Sequence, residues 1–238
     1  MLFLRSLIFT SLMFLSVLPF AIPAMFSGLV PYRFRWRYAR NWSRFNLWML
    51  KTICGLDYRV EGREHMPDSP CVVYWKHESV WETMAQTVLF PEQAWVLKRE
   101  LLWVPIFGWG LAALRPIAID RKSGRSAVMQ VVRQGKRRLA NGTWVMIFPE
   151  GTRVPVGTEK RFGVSGALLA EHAHVPILPV VHNAGEFWPR RGLIKKPGTI
   201  QVKIGAPIPA EGRSAPRHNE AVKAWIDAER KRLPKGRG

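Results

Sequence analysis

Acidic residues and cysteine are both scarce in this 238-residue chain. Asp and Glu number 17 against 36 Lys and Arg, so the formal net charge is +19, and the pI lies near 10.9. That imbalance excludes a self-neutralised surface and calls for an anionic partner: nucleic acid, anionic lipid or an anionic substrate. The two cysteines, Cys54 and Cys71, are too few for a disulfide framework and have no metal-ligand spacing. They read as buried or free thiols in a reducing compartment. His172 and His174 likewise lack a partner at zinc-binding spacing. No internal repeat is present, which excludes a solenoid.

Apolar residues, by contrast, are plentiful. The hydrophobic fraction of 47% against 22% charged residues is that of a globular chain and not of a disordered one. Eleven tryptophans among so many arginines suit a membrane interface, where both side chains place an apolar body and a polar tip. The length fits one catalytic domain with a small appendage.

Residues 7–30 carry no charge and are long enough to cross a bilayer. Arg5 precedes them, so a signal peptide is considered. The run is long for a cleaved segment, however, and no small-x-small site follows, so the sequence predicts retention. Pro19 and Pro23 either kink one helix or make a hairpin that stays in one leaflet. Arg33, Arg35, Arg37, Arg40 and Arg44 then alternate with aromatics. The positive-inside rule puts this side, and the domain after it, in the cytoplasm. Residues 32–50 also read as an interfacial amphipathic helix. Arginine–aromatic interleaving can bind nucleic acid, but its place beside a membrane segment argues against nucleic acid as the partner. The division predicted is a membrane-anchoring part over 1–54, a catalytic domain over 55–233 and a basic, disordered tail over 234–238.

From Leu56 the pattern is α/β. Strands are predicted over residues 57–60, 71–74, 94–97, 116–119, 144–148, 177–181 and 199–204, with helices over 81–90, 123–140, 164–173 and 216–233. Alternation of this kind implies a sheet covered on both faces. In the second of these helices, Val128, Val131, Val132 and Leu139 form one stripe, and Asn141-Gly142 supplies a stop. The tryptophan-rich stretch over 101–114 reads either as a buried core helix or as a surface that dips into the bilayer or lines an acyl-chain groove.

Chemistry concentrates in four places. His77 and Glu82 stand five apart, so on one helix they would lie about 140° apart and could not meet. If His77 sits in the turn before a helix and Glu82 in its first turns, the carboxylate can hold one ring nitrogen and leave the other as a base. A satisfied structural histidine is the competing reading. Phe148-Pro149-Glu150-Gly151-Thr152-Arg153 follows a strand and offers backbone N–H groups, a hydroxyl and a guanidinium fork suited to phosphate, or else a plain turn with a salt bridge. Ile117-Ala118-Ile119-Asp120-Arg121 delivers a second arginine to a strand end. Val175-Pro176-Ile177-Leu178-Pro179-Val180 is a strand bracketed by prolines, which suits a strand start or a wall.

These four blocks, in this order and over about residues 56–208, resemble those of the glycerolipid acyltransferases of the 1-acyl-glycerol-3-phosphate (lysophosphatidate) acyltransferase type. The resemblance implies a mixed, largely parallel central sheet flanked by helices, with an N-terminal membrane-embedded segment. It implies transfer of a fatty acyl group from acyl carrier protein or coenzyme A to the free hydroxyl of 1-acyl-glycerol-3-phosphate, at the cytoplasmic face of a membrane such as the bacterial inner membrane, with no cofactor. It implies that His77 is the general base and Glu82 its supporting acid. Glu150, Gly151, Thr152 and Arg153 would form the acceptor site, with Arg121 as a second phosphate contact and Lys98 a lesser one.

The sequence departs from the family pattern in three ways. The acid of the first block is Glu82 instead of Asp, Lys76 stands where Asn is frequent, and Gly163 falls where a lysine is common, so either Arg161 or Lys160 replaces it or the acceptor differs. His182, at a strand end, is read as structural. Two alternatives remain at this point: another lysolipid acceptor, such as a lyso-ornithine lipid, and a non-catalytic basic protein of a membrane surface or nucleic acid.

Overall fold

The computed structural model describes residues 1–212 and 214–236. A seven-stranded sheet runs through its centre in the order β1-β7-β6-β2-β5-β3-β4. The strands are β1 (Leu56–Glu61), β2 (Val72–Trp75), β3 (Gln93–Lys98), β4 (Ile117–Ile119), β5 (Trp144–Ile147), β6 (Ile177–His182) and β7 (Gly198–Ile204). β6, β2, β5, β3 and β4 are mutually parallel. β7 pairs antiparallel with β6 and parallel with β1. The sheet is therefore mixed and largely parallel, as expected.

A parallel sheet buried on both faces needs apolar residues at every strand position, and the strands comply. Val73 and Trp75 of β2, and Trp144 and Met146 of β5, enter one core cluster. Their neighbours Val72, Tyr74, Val145 and Ile147 enter the other. Helices α2 (Tyr32–Cys54) and α3 (Trp81–Leu89) cover the first face, while α5 (Arg125–Ala140), α6 (Ser165–Ala173) and α8 (Ala215–Arg232) cover the second. The expected stripe on α5 is present, with Val131, Val132 and Leu139 buried, and the chain leaves that helix through Gly142 at φ +78°. Short helices α4 (Phe107–Ala112) and α7 (Ala184–Phe187) complete the set. Cys54 and Cys71 are both free and buried.

The N-terminal apolar run is one helix, α1 (Leu2–Met25), with both prolines inside it. Proline has no N–H to give to the carbonyl four residues back. Pro23 thus leaves the Pro19 carbonyl unpaired within the helix, and the Tyr38 hydroxyl of α2 donates to it at 2.8 Å. A turn through Phe26 then reverses the chain into α2, which packs antiparallel-fashion against α1 through Ser16: both the Trp42 indole (3.0 Å) and the Asn46 amide (3.4 Å) donate to the Ser16 hydroxyl.

α1 is docked on the rest of the protein along its length. Near its start, the backbone N–H of Lys195 donates to the Ser6 hydroxyl at 2.9 Å, and Phe9 meets Trp188 edge-on at 5.6 Å. Near its end, Gly110 of α4 lies so close that an added Cβ would fall 2.9 Å from the Ala21 Cβ. The stripe Ser6, Phe9, Met13 and Ser16 is buried, while Leu4, Phe14, Leu15 and Leu18 on the other side are exposed. The helix is long and apolar enough to cross a membrane.

The stretch over 101–114 is not a buried core helix. It makes a 3-10 turn (Arg99–Trp103) and then α4, and it leaves Leu101, Trp103, Val104, Phe107 and Trp109 exposed. Its glycines are spent on close approach to neighbouring backbone, which turns the large side chains outward. The C-terminal tail also departs from expectation at its start, because Asn183 donates to the Pro234 carbonyl at 2.8 Å. Residues 237 and 238 of that tail lie outside the described residues.

Because Ala21 presents backbone as well as its methyl to Gly110, there is no flexible side chain to yield. Gly110→Ala is expected to lower unfolding stability by about 1–3 kcal/mol through overpacking, measured as a shifted denaturation midpoint in detergent. A midpoint equal to or above that of the parent protein would contradict the close docking of α4 on α1.

Candidate active site

β2 ends at Trp75, and its carboxyl end is where the site is built. Lys76 N–H still donates to the Val180 carbonyl of β6 at 3.2 Å. The chain then turns through residues 76–80 before α3 begins. His77 lies in that turn and Glu82 in the first turn of α3, the arrangement that their spacing requires. The ring Nδ1 lies 2.8 Å from Glu82 Oε1. The same oxygen accepts the backbone N–H groups of Glu78 (2.9 Å) and Ser79 (2.7 Å). A helix-start glutamate reaching back to the preceding N–H groups is the logic of a capping box, here extended to an imidazole.

With Nδ1–H directed at Glu82, Nε2 carries the lone pair. Nε2 has no hydrogen-bond partner among the described residues, and the His77 side chain retains 12% exposure while that of Glu82 is sealed at 0%. Phe148 stacks on the imidazole with ring centroids 3.9 Å apart and planes 18° from parallel, so the ring is fixed in plane as well as at one edge. Its backbone is also held: Val154 N–H donates to the His77 carbonyl at 2.8 Å, and His77 N–H lies 3.4 Å from Glu150 Oε1.

The electrostatics keep the imidazole neutral. Burial pushes the His77 pKa down, and the Arg153, Arg121 and Arg190 charges push the same way, while Glu150 opposes them. Burial raises the pKa of Glu82 against the effect of His182 and the Ser79 N–H. A neutral imidazole beside a carboxylate is the charge state that a general base needs.

The second block folds as a turn after β5. Gly151 N–H donates to the Phe148 carbonyl at 2.9 Å, and Gly151 has φ +69°, a conformation that glycine adopts without strain. Glu150 is buried, and Lys76 Nζ approaches its Oε1 at 3.2 Å. Its Oε2 has no partner among the described residues. Burial raises the Glu150 pKa, and Lys76 opposes this. The turn is tied to β4 by the Arg121 guanidinium, which donates to the Gly151 carbonyl. Thr152 and Arg153 are half-buried and make no hydrogen bond or ion pair among the described residues. His77, Glu82, Glu150, Gly151, Thr152, Arg153 and Arg121 are thus brought together. Lys98 ends β3 opposite Ile119, on the same edge of the sheet, but among the described residues no hydrogen bond or ion pair ties it to the others.

His182 is buried, and its ring bridges backbone. Ala184 N–H donates to Nδ1 at 3.0 Å, so Nε2–H donates to the Lys76 carbonyl at 2.8 Å. This steadies the turn that carries His77. Three further features had no role in the sequence reading. Phe148 was visible only as the first residue of its block. The Lys76–Glu150 pair accounts for a lysine where the family pattern has Asn. Arg230 of α8 grips Glu78 through Nε (3.0 Å) and Nη2 (3.2 Å) and also reaches Glu186 at 3.0 Å; nothing in a sequence couples residues 152 positions apart. Among the described residues no group of acidic, histidine and cysteine side chains could hold a metal ion.

Comparison with known proteins agrees with this geometry. A family model described as Acyltransferase matches residues 57–183. A Pseudomonas aeruginosa protein named 1-acyl-sn-glycerol-3-phosphate acyltransferase is 47% identical over 202 residues, covering 83% of this chain and 79% of that protein. The human 1-acyl-sn-glycerol-3-phosphate acyltransferase alpha is 31% identical over 172 residues, covering 71% of this chain and 61% of the human one. The crystal structure of the 1-acyl-sn-glycerophosphate acyltransferase PlsC of Thermotoga maritima has a TM-score of 0.80 to this structure at 22% identity, with 99% of this chain and 96% of that one covered. At that identity the likeness is one of fold.

Arg153 is the largest charge acting against protonation of His77. Arg153→Gln should therefore raise the His77 pKa, so that the ring gains its proton at a higher pH than in the parent protein. NMR titration of the imidazole measures this directly. An unchanged or lowered midpoint would show that Arg153 does not face the ring.

Proposed function

The chain belongs to the acyltransferase family, and on that premise we propose that it transfers a fatty acyl group from a thioester, acyl carrier protein or coenzyme A, to the free hydroxyl of 1-acyl-glycerol-3-phosphate, giving phosphatidic acid. The observation that carries this reading is the 2.8 Å contact of His77 Nδ1 with a sealed carboxylate. It leaves Nε2 as a base, with the charges of Arg153 and Arg121 acting on the ring.

In the proposed reaction Nε2 takes the proton of the acceptor hydroxyl as its oxygen attacks the thioester carbonyl. The imidazolium that forms is stabilised by Glu82, as in a charge-stabilised triad. The tetrahedral intermediate collapses with cleavage of the C–S bond, and the departing sulfur recovers the proton from His77. No acyl-enzyme forms, because the acceptor oxygen is itself the nucleophile. Arg153 and Arg121 bind the acceptor phosphate through charge-assisted hydrogen bonds. Gly151 and Thr152 offer backbone and hydroxyl donors, while the buried Glu150 holds their turn against Lys76 and the His77 N–H. Lys98, on the same sheet edge, adds long-range attraction.

The membrane reading follows from the docking of α1. Contacts at Ser6 and again at Ala21 fix about 22 Å of helix, at 1.5 Å per residue, against the rest of the protein. A helix held at both ends cannot stand across a bilayer while the domain stays on one side. It would lie in one leaflet with Phe14, Leu15 and Leu18 in the acyl chains, together with the exposed Trp48, Trp103 and Trp109. The arginines of α2 would meet anionic headgroups on the cytoplasmic side.

One experiment separates the enzyme from a basic binding protein. His77→Ala should lower acyl transfer by about 10²–10⁴-fold while flotation with anionic vesicles is unchanged. Arg153→Ala should raise KM for lysophosphatidate by about tenfold and leave a zwitterionic lysolipid unaffected. Transfer at the parent rate in the His77 variant would refute the assignment of the base, and failure of the parent protein to float would refute the membrane reading.

A further inference from the structure

Two cavities lie among the loops near His77. One, of about 410 Å³, is lined by Glu150, Gly151 and Arg161, on the side of the acceptor groups described above. Arg161, one of the two residues expected to stand in for the family's lysine, is in its wall. The other, of about 450 Å³, is lined by Glu78, Val156, Glu186, Arg190, Arg191 and Lys196 among others. Its wall includes Glu78, which follows His77, and Pro155, which follows the Val154 whose N–H donates to the His77 carbonyl, so this second cavity opens near the turn that carries the base.

Its charges are unevenly matched. Both carboxylates in its wall, Glu78 and Glu186, are bonded to Arg230. Arg190, Arg191 and Lys196 have no ion pair among the described residues. The cavity therefore presents three uncommitted cations to whatever enters it.

The two arginines are displayed by a built turn. Gly192 N–H donates to the Pro189 carbonyl at 2.9 Å, and the Trp188 indole donates to the Gly192 carbonyl at 3.1 Å. Arg191 has φ +63°, in the left-handed region where glycine is free of strain and a long side chain is not. A strained residue kept at a cavity wall points to use of its side chain.

We propose that this cavity binds the phosphate-bearing end of the donor's pantetheine arm, with Arg190, Arg191 and Lys196 as its anion contacts. The inference rests on the acyl-transfer reading above and extends it to the second substrate. The acceptor phosphate and the donor phosphate are both anions, both are remote from the reacting bonds, and they must be held at once. A cationic recess separate from the acceptor groups meets that requirement, whereas a single shared one would set the substrates in competition. The phosphate is common to coenzyme A and to the prosthetic arm of a carrier protein, so the site serves either donor.

The test compares three thioesters of one fatty acid, carried by coenzyme A, by acyl carrier protein and by pantetheine without phosphate. Arg190 is left in place because its field reaches His77. Arg191→Gly, which also relieves the backbone strain, should melt at or above the parent temperature. Combined with Lys196→Gln, it should raise KM about tenfold for the phosphate-bearing donor that the parent protein uses. KM for S-acyl-pantetheine and for lysophosphatidate should be unchanged. An equal rise for S-acyl-pantetheine, a rise for lysophosphatidate instead, or no rise at all would overturn the proposal. A readout without turnover keeps this separate from the acyl-transfer reading. By calorimetry, 4′-phosphopantetheine should bind the parent protein more tightly than pantetheine, and the double variant should lose that preference. No preference in the parent protein overturns the donor site even where transfer is observed, and a preference lost in the variant supports it even if the acceptor proves to be another lysolipid.

Discussion

One oxygen of a buried carboxylate, Oε1 of Glu82, lies within 2.9 Å of three N–H groups: the His77 ring and the backbones of Glu78 and Ser79. An ionised carboxylate sealed from water costs several kcal/mol unless donors replace its hydration, and here the donors are the turn itself. The turn cannot relax without orphaning the carboxylate, and the carboxylate cannot move without freeing the ring. The extra methylene of Glu over Asp is absorbed in this reach backward from the first turn of α3. The geometry of the proposed base and the local folding are in this sense the same set of bonds.

Around that centre the carboxyl edge of the sheet supplies the remaining groups. β2 delivers His77, β5 delivers the turn with Glu150 and Arg153, β4 delivers Arg121, and β6 delivers His182 and the chain toward Arg190. Ligands of open α/β sheets bind at this edge because the loops diverge there. Glu150 and Arg230 act as clamps between loops. Lys76 and the His77 backbone meet Glu150, and α8 holds Glu78 through Arg230.

Most of the architecture was legible in the sequence, for a physical reason. Strands buried on both faces must read as unbroken apolar runs, so residues such as Val72 to Trp75 and Trp144 to Ile147 announce themselves, and helix ends at Gly142 and before Pro234 obey backbone rules. The direction of β7, antiparallel to β6, carries no local signal. Whether residues 101–114 are buried could not be read from the sequence, because apolar content is the same for a buried helix and for an exposed surface; the close packing of Gly108 and Gly110 leaves the large side chains exposed. In the site, the blocks containing His77 and Arg153 were readable as motifs. The stacking of Phe148 and the reach of Arg230 were not, since each depends on contacts between segments far apart in the chain.

The central claim is that the base at Nε2 of His77 serves a phosphorylated lysolipid. It is tested most directly by mixing the purified protein with a matrix of acyl donors and lysolipid acceptors and identifying every lipid product by mass spectrometry. The account predicts phosphatidic acid from 1-acyl-glycerol-3-phosphate as the dominant product, with free coenzyme A or carrier protein released in equal amount. Preferential acylation of a lysolipid without a phosphate monoester, or no acylated product from any pair, would contradict it.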